Sequence, residues 1–338
     1  MYSSSPHFSW FNNRLSALRF SLPVKREAHE GDRRRPLSIS LEASRMFKWR
    51  ERVPHLEEVP SFLELPIMLN GLNNRVDFFT EFGSLLGIRG EVIYVEVKPL
   101  GSFINEVDRI TVITTKGQYY FVLKTFSSWG LLKWFPLWIA SYARANFSVN
   151  GKSRLKNELR ARAILEKVGV RTPQVYCYDM KRMKALYEFV EGENLDEKVK
   201  AARRDENMDD IEDVYEKVGL EIAKIHSSGY ILGDCKPANV IQSSSRELYY
   251  VDLEQARSGN QRLSGWDVCE FLMFTGRFFL LPKKVGILCE AFLRGYLREG
   301  DKKVLREAAS IKMSQPFMGL VSPIIIQSIR SMMLEYAE

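Results

Sequence analysis

Cysteine and histidine are scarce in this chain of 338 residues, with four of each. Cys177, Cys235, Cys269 and Cys289 are too far apart for a CxxC clip, and the histidines have no metal spacing. A zinc site and a disulfide-stapled scaffold are therefore excluded, and reduced thiols in a cytoplasmic protein are expected. No run of 18 apolar residues occurs, so no spanning helix is expected. The first 22 residues hold no compact apolar block of the kind a secretory signal needs. No repeat of fixed period is present.

What is present is ample core material. The chain is 45% hydrophobic and 12% aromatic, enough to bury the interior of a bilobal protein or of two domains. The net charge of +7 is unevenly spread. Residues 1–50 carry ten Lys/Arg against four Asp/Glu, so the remaining chain is nearly neutral. Nucleic acid is thus indicated only weakly, by a basic arm over 1–45 that includes Arg33-Arg34-Arg35 and reads as disordered.

Periodicity divides the rest. Residues 46–90 read as a helical extension. Residues 91–98 (EVIYVEVK), 109–115 (RITVITT) and 118–126 (QYYFVLKTF) alternate and are rich in β-branched and aromatic side chains, with a tight turn at Lys116-Gly117. Residues 153–168 form a helix that stops at Gly169. Short strands follow near 174–178 and 185–190. Residues 208–225 form an amphipathic helix through Ile211, Val214, Tyr215, Val218, Ile222 and Ile225. Beyond a strand at 248–253, the chain from Trp266 onward is apolar and helical. Strands followed by helices give an α+β fold of two lobes.

The most informative stretch is residues 225–241 (IHSSGYILGDCKPANVI), followed by Val251-Asp252-Leu253-Glu254. The pattern HxxGxxxGDxKPxNV, an apolar strand and then Asp resembles the catalytic loop and metal strand of the protein kinase-like superfamily. Within it, residues 157–254 resemble most the PRPK group, the kinase-like subunit of the KEOPS complex, with the RIO kinases as neighbours. The resemblance covers roughly 91–274.

This resemblance implies a bilobal kinase-like fold. The N-lobe would span 91–190, with an insertion at 127–150, and the C-lobe 191–338. It implies an ATP- and Mg²⁺-dependent phosphotransferase, with Mn²⁺ as a substitute, foremost an atypical serine/threonine protein kinase. Asp234 would orient the attacking hydroxyl, and Lys236 would meet the γ-phosphate. Asn239 and Asp252 would hold the metal. Lys124, late in the third strand, would bind phosphate and pair with Glu158, with Glu166 as a weaker competitor. Gly101 and Ser102 lie where a phosphate-covering loop belongs, although it has one glycine rather than three. The backbone near Glu188 and Val190 would meet the adenine edge. Asp267 matches the superfamily's aspartate that braces the catalytic loop.

Departures shape the expected acceptor. Leu253-Glu254 replace the usual Phe-Gly, so Glu254 either adds a metal ligand or faces solvent. Asp252 and Asp267 are 15 positions apart, too close for a long activation segment. The insertion gathers Trp129, Trp134, Phe135, Trp138 and Tyr142, and three outcomes are open for it: packing on the N-lobe, peripheral membrane contact or a partner platform. The acceptor could accordingly be protein or a small molecule, sugar or lipid. A third possibility is a PRPK-like ATP-binding or ATPase module acting with complex partners.

Overall fold

The computed structural model describes residues 62–69, 71–100, 105–126, 150–204 and 208–338. The described residues build two lobes within one compact unit.

The N-lobe is a five-stranded antiparallel sheet of order β1-β2-β3-β5-β4. Its strands are β1 Val92–Pro99, β2 Glu106–Thr114, β3 Gly117–Thr125, β4 Val175–Asp179 and β5 Lys184–Glu188. The β2–β3 turn is closed by Thr114, whose Oγ1 accepts from the Lys116 N–H at 3.1 Å and donates to the Arg89 carbonyl at 2.8 Å. Successive strand residues point to opposite faces. Phe121 and Leu123 thus join Val95, Ile110, Val112, Cys177 and Leu186 in one cluster. Helix α1, Leu72–Phe82, covers that cluster with Phe78 and Phe79. Val122 and Lys124 face the other way, toward the interlobe cleft. Residues 62–69 run extended instead of helical: Glu64 pairs in parallel with Tyr178 of β4, and the Ile67 N–H donates to Asp179 Oδ2 at 3.0 Å.

Helix α2, Gly151–Lys167, packs on the cleft face of the sheet. Asn150 caps it, its Oδ1 accepting from the Lys152 N–H at 2.9 Å. Leu155 and Leu159 are fully buried among Phe126, Ala185 and Tyr187, each contributing about 2 kcal/mol of apolar burial.

The C-lobe begins with β6 Gly192–Asn194 and α3 Leu195–Ala202, and its long helix α4 is Asp209–Ser227. A strand β7, Tyr230–Ile231, leads to a single 3₁₀ turn at Pro237–Asn239 and to β8 Val240–Ser243 and β9 Leu248–Tyr250. The short strand β10, Arg257–Ser258, pairs back with β7. Helices α5 Gln261–Gly276, α6 Pro282–Tyr296, α7 Lys302–Ala308, α8 Ile311–Ser314 and α9 Pro323–Ala337 complete it. The core is the buried stripe of α4, with Ile211, Val214, Val218 and Ile222, packed on Phe271, Leu288, Phe292 and Ile329. Helices α4 and α6 approach closely because Gly219 and Gly295 are bare: a Cβ at either would strike the opposing backbone. The four cysteines are buried and not disulfide-bonded. Among the described residues, no helix is long and apolar enough to cross a membrane.

Candidate active site

The lobes meet at a cleft of about 310 Å³. Its N-lobe wall carries Leu100, Asn105, Val107, Val122, Lys124 and Tyr187, and its floor carries Asn239, Ile241, Val251 and Asp252. Glu188, Phe189 and Val190 close the side where the lobes join. The Glu188 N–H donates to the Gln174 carbonyl at 2.9 Å, so that donor is committed within the protein.

Strand alternation sends Lys124 into the cleft, and α2 brings Glu158 to it. Lys124 Nζ donates to Glu158 Oε2 and to Asp252 Oδ1, both at 2.6 Å, and lies 3.2 Å from Glu254 Oε2. Glu158 rather than Glu166 is therefore the lysine's partner. Glu158 is held from behind by Arg162, one helical turn on, at 2.8 Å. The Arg162 guanidinium lies over the Tyr187 ring at 4.3 Å from its centroid. Burial opposes the charge on Lys124, but Asp252, Glu158 and Glu254 outweigh it and hold the amine well above the ordinary lysine range. Burial likewise pushes Glu158 up, and Lys124 and Arg162 reverse this to leave it below the usual carboxylate range.

Asp252 is one of three non-glycine residues in the left-handed region among the described residues, with φ of 57°. That conformation costs about 1–2 kcal/mol for an L-residue and turns the carboxylate into the cleft. Its side chain is 36% exposed, whereas Glu158 and Glu254 are buried. Desolvation pushes the Asp252 carboxyl up, and Lys124 and then Lys236 bring it below the ordinary range. Glu254 goes the other way, raised by burial and by Asp252 against the pull of Lys124 and Arg154.

The loop between β7 and the 3₁₀ turn presents Asp234. Lys236 Nζ donates to Asp234 Oδ2 at 2.7 Å and Oδ1 at 3.0 Å. Asn239 Nδ2 donates to the Asp234 carbonyl at 2.9 Å and to its Oδ2 at 3.2 Å. Burial opposes the Lys236 charge, but Asp234 and Asp252 raise its pKa above the usual lysine value. The loop is pinned from below by α5. Asp267 accepts from the Leu232 N–H at 2.6 Å and the Gly233 N–H at 2.9 Å, and Glu270 from the Cys235 N–H at 2.9 Å. Gly233 has φ of 76°, and a Cβ there would lie 2.6 Å from the Gln255 carbonyl, so only glycine lets the two segments approach.

Lys124, Glu158, Glu188, Val190, Asn239 and Asp252 therefore share one cleft, and Asp234 and Lys236 stand beside Asn239. Gly101 and Ser102 lie outside the described residues, as do residues 127–149 of the aromatic insertion and the basic arm. Glu254 does not face solvent. Arg154, Arg162, Asn105 and Glu270 escaped sequence reading as site residues. The spacing Arg154-Glu158-Arg162 does mark one polar face of α2, and Asp267 and Glu270 share a face of α5. Asn105 left no such mark.

The donor set fits a hard divalent cation. Asp252 Oδ1 meets Lys124, leaving Oδ2 on the partly exposed side chain, and Asn239 spends its amide nitrogen on the loop, leaving the amide oxygen. Carboxylate oxygens of Glu158, Asp252 and Glu254 lie within 4.8 Å of one another.

A β-meander lobe over a helical lobe, with this polar constellation between them, defines a protein kinase-like protein. No family model matches the chain. It is 30% identical over 171 residues to a probable serine/threonine-protein kinase BUD32 homolog of Archaeoglobus fulgidus, covering 50% of this chain and 79% of that one. It is 31% identical over 101 residues to the KEOPS complex subunit Bud32 of Pyrococcus abyssi, covering 30% of this chain and 44% of that protein. A probable bifunctional tRNA threonylcarbamoyladenosine biosynthesis protein of Methanobrevibacter smithii is 35% identical over 106 residues, 31% of this chain and 18% of that protein. The chain thus spans less than half the length of these last two relatives. It belongs to the Bud32 family of atypical, protein kinase-like proteins.

Proposed function

We propose that this chain is an ATP- and Mg²⁺-dependent phosphotransferase, acting as an atypical serine/threonine protein kinase. The observation that carries this reading is the convergence of Lys124, Glu158 and Asp252 in one cleft beside the Asp234–Lys236–Asn239 loop. Lys124, held by Glu158, would neutralise phosphate charge. Asp252 and the Asn239 amide oxygen would hold the metal ion. Mg²⁺, when bound, supplies charge neutralisation across the transferring phosphates. The main chain around Glu188 and Val190 would receive the adenine edge. Asp234 would orient the acceptor hydroxyl and take its proton as the hydroxyl oxygen bonds to the γ-phosphorus and the bond to ADP breaks. Lys236 would offset charge on the transferring group. The proposed setting is the cytoplasm, in keeping with four cysteines outside any disulfide.

A second reading is an ATPase module within an assembly. The relatives named as KEOPS complex subunits and as a tRNA threonylcarbamoyladenosine biosynthesis protein favour it. The two readings separate in one assay with γ-³²P-ATP and Mg²⁺ or Mn²⁺, run on protein acceptors and on lipid extract. Transfer to protein that falls by at least about 100-fold in Asp252→Ala and Asp234→Asn supports the kinase. Phosphate release without labelled acceptor supports the ATPase. Transfer retained in Asp252→Ala would refute both assignments of this site.

A further inference from the structure

Glu254 is buried two residues beyond Asp252, and its contacts run away from the cleft floor. Glu254 Oε2 accepts from Asn105 Nδ2 at 2.7 Å and from the Arg154 guanidinium at 3.0 Å, and lies 3.2 Å from Lys124 Nζ. Its Oε1 lies 2.9 Å from the same guanidinium. Its main-chain carbonyl accepts from Asn157 Nδ2 at 3.3 Å. Arg154 also donates to Asn105 Oδ1, so Asn105, Arg154 and Glu254 form a closed triangle in which each touches the other two. The partners come from the end of the β1–β2 connection, from β3 and from two positions of α2. The Arg154 side chain is fully buried and that of Glu254 is 5% exposed. Both carboxylate oxygens thus face donors of the N-lobe. Asp252, in contrast, has Lys124 on one oxygen only and remains a third exposed.

We propose that Glu254 is a positioning residue, not a metal ligand: it fastens α2 and the end of the β1–β2 connection to the Asp252 segment. A buried arginine needs a fixed counter-charge, and Glu254 supplies one from the other side of the cleft. Arg154 lies one turn before Glu158 on the same face of α2. The tether that seats Arg154 therefore also aims Glu158 at Lys124. Only 15 positions separate Asp252 from Asp267, leaving no long segment to hold α2 inward, and the Glu254 triangle does that within the folded chain. The link between this tether and nucleotide chemistry rests on the phosphotransferase reading, whereas the tether itself does not.

The test uses the full chain and two readouts on Glu254→Gln, Asn105→Ala and Asp252→Ala. Backbone amide exchange needs no nucleotide. Glu254→Gln is expected to speed exchange over 105–109 and 151–158 by about tenfold, and Asn105→Ala by less and over 105–109 only. Mn²⁺ affinity in the presence of a non-hydrolysable ATP analogue is expected to move less than about threefold in Glu254→Gln and to fall more than about tenfold in Asp252→Ala. Exchange unchanged in both Glu254→Gln and Asn105→Ala would overturn the tether. So would a Glu254→Gln variant with wild-type exchange and an Asp252→Ala-like loss of Mn²⁺. If Glu254→Gln does not fold, the exchange of Asn105→Ala decides alone. Wild type that binds no Mn²⁺–nucleotide would sink the phosphotransferase reading and leave the exchange result standing.

Discussion

On the N-lobe side of the cleft, Lys124, Glu158, Arg162 and Arg154 form a side-chain ion-pair cluster, which Glu254 joins from the C-lobe segment. On the C-lobe side, Asp267 and Glu270 hold backbone: the amides of Leu232, Gly233 and Cys235. The two schemes differ in what can replace them. An ion pair can be removed as a pair, because both partners are side chains, and well-packed neutral groups of similar volume then fill the space. A carboxylate that anchors amides has no removable partner, since the N–H groups stay buried whatever the sequence. The C-lobe side is thus the fixed platform carrying Asp234. The N-lobe side is a balanced charge cluster whose members depend on one another.

The largest effect is expected on the platform. Asp267 is fully buried and also lies 3.3 Å from His226 Nε2. Asp267→Ala leaves two buried amides without acceptors and should lower stability by about 4 kcal/mol in urea denaturation. The two amides use different oxygens of Asp267, and an asparagine offers only one acceptor oxygen, so Asp267→Asn should lose roughly half as much. Equal stability of Asp267→Ala and wild type would end the distinction between the two sides. Next comes Arg154→Met, which strands Glu254 among fewer cations and should cost about 3 kcal/mol. The double change Arg154→Met with Glu254→Gln should recover at least half of that, measured as a double-mutant cycle. A strictly additive loss would show that the N-lobe cluster is as irreplaceable as the platform.

How far this contrast was legible in the sequence follows from the range of each interaction. Asp234, Lys236 and Asn239 sit within six residues, and their mutual bonds follow from one loop, so the motif was readable. Lys124 was legible through the family resemblance, which implies a phosphate-binding lysine late in the third strand, and strand alternation then turns it into the cleft. Glu158, not the exposed Glu166, meets Lys124 because it lies on the buried Arg154–Arg162 face of α2. The pairing of Arg154 carried no such mark, because its partner is 100 residues away. Helix α5 starts at Gln261, ahead of the apolar run at Trp266, because Asn260 caps it by accepting from the Leu263 N–H. The extended course of 62–69 was hidden for the same reason as Arg154: its pairing partner in β4 is more than a hundred residues on. Local chemistry shows in local spacing, and contacts between distant segments do not.

The smallest predicted effect separates the two carboxylates of the platform. Both are fully buried and both accept from the same loop, yet Glu270 has burial first, then the nearby Asp234 and Asp267 carboxylates, pushing its pKa well above the ordinary value of 4.5, with only partial relief from Lys236. Glu270 in the folded chain therefore keeps its proton at a pH where the unfolded chain has lost it. The folded state then binds more protons than the unfolded one, so stability falls as pH rises above about 4.5, by at most about 1.4 kcal/mol per pH unit from this group. The fall continues until pH reaches the raised folded pKa. Glu270→Gln removes the titration while keeping an oxygen for the Cys235 amide. It should be close to neutral at pH 5, increasingly more stable than wild type as pH rises toward 7, and visibly flatter in a plot of urea midpoint against pH. A variant whose pH profile runs parallel to wild type would mean that Glu270 is ionised in the folded protein, in the manner of Glu158, whose pKa is held below the usual range. The platform would then share the charge-balanced character of the opposite wall.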